Sequence, residues 1–65
     1  MSMVQMGKKW EITTIEEYNK AMEILDGNEF VAMMSDDYGM EKRERAEIER
    51  QRADVTKQAK EKGII

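Results

Sequence analysis

The chain has 65 residues, 11 of them Lys or Arg and 14 Asp or Glu, for a net charge of −3, and it contains no Cys, His or Pro. That length allows one domain at most. The missing Cys and His exclude disulfides, thiolate metal sites and imidazole catalysis, and no apolar run approaches the ~20 residues of a membrane-spanning helix.

A single core in a chain below about 70–80 residues rarely supplies more than about 3–5 kcal/mol. Without disulfides, the remaining aids are close helix packing, self-association or a partner. The first residues, MSMVQMGKKW, lack the apolar centre of a secretory leader. With the absence of cysteine, this leads to an expected cytoplasmic location. Charge is uneven. Residues 1–40 hold three lysines against eight acids, and residues 41–65 hold eight bases against six acids. The two parts are therefore −5 and +2.

Residues 1–9 carry no periodic pattern and are expected to be flexible. Trp10 and Ile12 alternate with charged neighbours, which suits a short strand or an extended lead-in packing on the next helix. Thr14 and Glu17 fit the S/T-x-x-E capping box, with Glu16 and Glu17 in the first turn. Helix one is predicted over 14–26, its inner face formed by Ile15, Tyr18, Met22 and Leu25. Asp26-Gly27-Asn28 then reads as a turn, Gly27 suiting a left-handed position and Asn28 capping the next helix.

Residues 28–35 suit either a strand or a helix start. Helix is favoured because Ala and Met are poor strand formers and two strands make a marginal sheet. Phe30 and Met34 would join Trp10 in the core. A seam with steps of three and four then runs from Val31 through Met34, Tyr38, Glu41, Arg45, Ile48, Arg52, Val55 and Ala59 to Lys62. It predicts one long helix over 28–62, about 52 Å at ~1.5 Å per residue. Any kink or break would fall at 35–39, where Gly39 is unfavourable inside a helix and Asp37 can cap a new one. Gly63 ends the helix. The expected fold is all-α: a helical hairpin with a short first helix and a long, charged, coiled-coil-like second helix.

Around that second helix, Ile48, Val55 and Ala59 form one narrow apolar seam, flanked by Arg45 and Arg52 on one side and by Glu44, Gln51 and Gln58 on the other. The pairs Arg43/Glu47, Arg50/Asp54 and Lys57/Glu61 repeat on the far face and read as solvated. A helix one ending at residue 26 cannot cover the far end of the seam. Another chain is expected to do so.

Catalysis is not expected. Ser2 and Ser35 have no histidine to activate them. Asp36 and Asp37 point about 100° apart on a helix and do not converge on a metal. No metal, cofactor or membrane contact is expected. The arginines do not form one stripe, since Arg43 and Arg50 lie opposite Arg45 and Arg52. A nucleic-acid-binding regulator using the basic C-terminal helix is therefore the second alternative. The first is a protein-interaction module, homo-oligomeric or docked on a larger protein, with Arg45, Ile48, Arg52, Val55 and Ala59 as the contact face. Ile48→Asp with Val55→Asp would then abolish association and leave helix one folded.

Overall fold

The computed structural model describes residues 4–34 and 36–65. The expectations for residues 1–3 and for Ser35 lie outside that range. Two helices, α1 (Ile15–Met33) and α2 (Tyr38–Glu61), form a hairpin. Residues 4–12 run beside them as an extended strap. The molecule measures 39 × 16 × 15 Å.

Thr14 caps α1 as its sequence position predicts. Its hydroxyl oxygen accepts from Glu17 N at 3.1 Å, and the Glu17 carboxylate accepts from the hydroxyls of Thr13 and Thr14. The helix does not stop at Asp26-Gly27-Asn28. It runs through all three residues to Met33, and Gly27 has no positive φ. Helical glycine costs about 1 kcal/mol relative to alanine. Continuing the helix places Ala32 two turns beyond Leu25, where both are buried, and that outweighs one unfavourable residue.

Instead α1 ends at Met33 with Met34 as its C-cap, and α2 begins at Tyr38. Asp37 Oδ1 accepts from Met40 N at 3.1 Å and caps α2. The continuous helix expected over 28–62 is thus two helices, broken within the 35–39 window at a cap whose residue type announces it. Among the described residues there is no strand, so the alternative for 28–35 is not realised over 28–34. Gly63 ends α2 with φ +71°. Ile64 N donates back to Ala59 O at 2.9 Å and Gly63 N to Lys60 O, a Schellman arrangement that satisfies two terminal carbonyls.

The core has three contributors. Ala21, Leu25 and Ala32 come from α1, Ile48, Val55 and Ala59 from α2, and Val4 and Ile12 from the strap. Trp10, Tyr18, Met22 and Ile64 pack at its margin. Of the expected core residues, Leu25 is central and Trp10, Tyr18 and Met22 are marginal. Ile15, Phe30 and Met34 are exposed. The cause is a rotation of the buried stripe toward Ala21, the side of α1 on which Trp10 and Ile12 lie. With α1 unbroken, Phe30 sits ~140° around the helix from Leu25.

Candidate functional site

The seam expected to meet a partner is inside the molecule. Ile48, Val55 and Ala59 each have no exposed surface. Helix α1 is longer than expected, running through the turn expected at Asp26-Gly27-Asn28 to Met33, and the strap covers the rest. The two flanking arginines also have partners within the chain. Arg52 Nη2 lies 2.7 Å from Asp26 Oδ1 and its Nη1 lies 3.8 Å from Glu29, so it ties α2 to α1. Its Nε is buried without a hydrogen-bond partner. Arg45 Nη1 lies 3.7 Å from Glu41, within the same helix.

The strap explains what the polar side of the seam is for. An extended segment has backbone groups that need partners, and here side chains of α2 supply them. Gln51 Nε2 donates to Gln5 O at 2.8 Å and Gln51 Oε1 accepts from the Trp10 indole at 2.9 Å. Gln58 Oε1 accepts from Ile12 N at 2.9 Å and its Nε2 donates to Trp10 O at 2.7 Å. Lys62 Nζ donates to Ile12 O, and Arg50 donates to Lys8 O at 3.3 Å. Each glutamine turns both an N–H donor and its carbonyl acceptor to the strap, which is what an extended peptide requires. The strap therefore runs alongside α2 in the same direction, and Lys8 Nζ stacks 4.0 Å from the Trp10 ring centroid.

Glu47 anchors the strap's first turn. Its Oε2 accepts from Gly7 N at 2.7 Å, from Gln51 Nε2 at 2.8 Å and from Arg50 Nη2 at 2.7 Å. The hydrogen bonds from Arg50 and Gln51, outweighing partial burial, lower its pKa from the ordinary 4.5 to about 2. Gly7 takes φ +74°, and Lys8 N donates to Gln5 O to close the turn. Gln5, Gly7 and Lys8, within the 1–9 segment expected to be flexible, thus bond to α2. The ladder face is also not wholly solvated, since Glu47 turns from Arg43 to Arg50 and the strap. Lys57 and Glu61 remain an exposed pair at 4.0 Å.

Spacing held the missed signal. Glu47, Gln51, Gln58 and Lys62 are separated by steps of four, seven and four, one stripe beside the seam. It pairs with the alternating Trp10-Glu11-Ile12 segment.

The hairpin's connecting end is different. Phe30 is 65% exposed, Met33 56%, Met34 70% and Tyr38 77%. Phe30, Met33 and Met34 have helical spacing of three and one and share the outer side of α1. Meanwhile three of the eight buried apolar residues of the core are alanines. A shallow groove lined by Tyr38, Glu41, Lys42, Arg45, Ala46 and Glu49 continues from this end along α2; Arg45 is the one expected contact residue that lines it. Among the described residues, no three acidic side chains converge as metal ligands, and no helix is long and apolar enough to cross a membrane. Comparison with known protein families, curated proteins and solved structures finds no match for this chain.

Proposed function

We propose that the chain is a non-enzymatic protein-interaction module that docks on a larger protein, and that its docking face is the apolar end of the hairpin rather than the Ile48/Val55/Ala59 seam. One observation carries this: Phe30, Met33, Met34 and Tyr38 are exposed together at one end. A chain this short gains stability from every large apolar side chain it buries, about 1.5–3 kcal/mol each. Leaving four outside while burying Ala21 and Ala32 is costly for a monomer and useful for a binding surface. The cysteine-free composition supports a cytoplasmic setting.

The nucleic-acid alternative has less support, because Arg50 is engaged by Glu47 and Arg52 by Asp26. Affinity capture from the host, comparing the wild type with a Phe30→Ser, Met34→Ser double variant, tests the proposal. A specific partner should be retained by the first and lost by the second. A partner retained equally by both would place the docking face elsewhere.

A further inference from the structure

We infer that the occupant of the hairpin end is a cationic amphipathic helix, an inference that rests on the protein-docking function proposed above. Residues 27–41, from the last two turns of α1 through the first turn of α2, include Glu29, Asp36, Asp37 and Glu41 and no Lys or Arg. Their charge is −4 against −3 for the whole chain, so everything else together is +1. Residues 11–26 carry the same net −4, but with Lys20 among them; 27–41, where Phe30, Met33, Met34 and Tyr38 are exposed, holds acids and no base. Lys42 and Arg45 line the groove that continues from this end, and Arg45 and Arg52 lie 3.7 and 3.8 Å from Glu41 and Glu29, so the acidic field is strongest around Asp36 and Asp37.

Two features say that the occupant is helical. Phe30 and Met33 belong to α1 and Tyr38 to α2, and among the described residues there is no strand whose edge an extended peptide could join. The exposed contacts it offers are chiefly side chains, which suits a partner whose own backbone is already satisfied, as a helix's is. The side chains themselves suit this. Phe30, Met33 and Met34 form a ridge at helical spacing that can enter the groove of a second helix. Methionine adapts its shape to irregular apolar surfaces, and an aromatic anchor such as Phe30 or Tyr38 supplies the localised contact energy of most interfaces.

Charge then selects among apolar partners. A second copy docking end to end would bring −4 against −4. Anionic membranes and nucleic acids carry the same unfavourable sign. A helix with an apolar stripe flanked by Lys and Arg meets the apolar end and its acidic rim at once, and like-charged competitors are suppressed.

The test uses the full chain, isotope-labelled for NMR, and two synthetic peptides. One has a leucine stripe flanked by lysines, and the other has glutamate in place of every lysine. The lysine peptide should shift amide signals confined to 27–41, and its affinity should fall with added salt. The glutamate peptide should bind at least about tenfold more weakly, a factor worth about 1.4 kcal/mol. Phe30→Ser with Met34→Ser should lower lysine-peptide affinity by about tenfold or more with unchanged helicity, and Asp36→Lys should narrow the preference between the peptides. Equal binding of both peptides at the end would overturn the charge selection and leave protein docking intact. Shifts that map to the strap or the C-terminal turn, or no binding of either peptide, would overturn the cationic-helix occupant, while the capture experiment still decides protein docking. A concentration-dependent rise in mass lost in the double variant would make a second copy the occupant and overturn it as well.

Discussion

Trp10 and Gln51 are 41 positions apart and share a 2.9 Å hydrogen bond from the indole Nε1 to the side-chain carbonyl. Through its other end the same glutamine donates to Gln5 O. One nearly buried amide thus fixes two points of the strap against α2. Replacing Gln51 with Ala leaves the indole N–H and a carbonyl, both part-buried, without these partners; a fully buried group so left costs about 1–3 kcal/mol. Gln51→Ala should lower stability by about 1–3 kcal/mol in total, measured as a shift in urea midpoint. Trp10 is the sole tryptophan, so its emission should move to longer wavelength as the strap loosens. Unchanged emission in a destabilised variant would mean the strap is held by other groups.

Glycine substitutions separate the observed turn positions from the expected ones. Gly27 is helical, and a methyl group there meets nothing within 4 Å. Gly27→Ala should stabilise the chain by about 1 kcal/mol. Gly7 has φ +74°, and L side chains at such angles cost about 1–2 kcal/mol. Gly7→Ala should therefore destabilise by that amount. If Gly27 were instead the left-handed turn residue that Asp26-Gly27-Asn28 suggests, its alanine variant would lose stability in a thermal melt.

Why the turn is legible in one place and misleading in another is a matter of which forces act locally. Caps are local: Thr14 and Asp37 hydrogen-bond to amides three residues away, and Gly63 with Ile64 closes α2 within six residues. Their residue types announce them. Continuation of α1 through Gly27 is decided by burial of Ala32 against a distant helix, which no short window contains. The same holds for the core. The Ile48-Val55-Ala59 seam is visible from its spacing, but its occupant is not, because the strap that covers it lies some 40 or more positions earlier in the chain. Gln51 and Gln58 look like flanking polar residues until the backbone they serve is adjacent to them. Exposure of Phe30 and Met34 comes from the same continuation, since a helix restarting at residue 28 would have turned them inward.

Acid should loosen the strap through Glu47. Its pKa is lowered from 4.5 to about 2 by Arg50, Gln51 and the Gly7 amide. A group with a depressed folded-state pKa binds more protons when unfolded. Its stabilisation is thus fully present above the unfolded value and is lost as pH falls from 4.5 toward 2. The urea midpoint should decline across that window. Glu47→Gln removes the titrating group but keeps an acceptor for Gly7 N, so its midpoint should be lower at neutral pH and flatter on acidification. A variant whose acid profile parallels the wild type would show that other carboxylates dominate.

The buried seam and the exposed end should respond oppositely to polar substitution. Val55 has no exposed surface, and an aspartate there must either bury a charge or take up a proton, at several kcal/mol. A chain of this size has only about 3–5 kcal/mol from its core. Val55→Asp alone should therefore abolish the cooperative unfolding transition, and with Ile48→Asp it should leave no folded α1, since Leu25 and Ala32 lose what they pack against. This reverses the outcome expected for a seam that meets a partner, where the same pair of changes would separate chains and spare the first helix. Phe30→Ser and Met34→Ser alter side chains that are mostly in water already, and surface changes of this kind stay within about 0.5 kcal/mol. Circular dichroism and sedimentation on the two double variants distinguish the cases: loss of helicity at constant mass for the seam, and native helicity for the end. A helical but dissociated Ile48→Asp, Val55→Asp chain would restore the seam as an intermolecular contact.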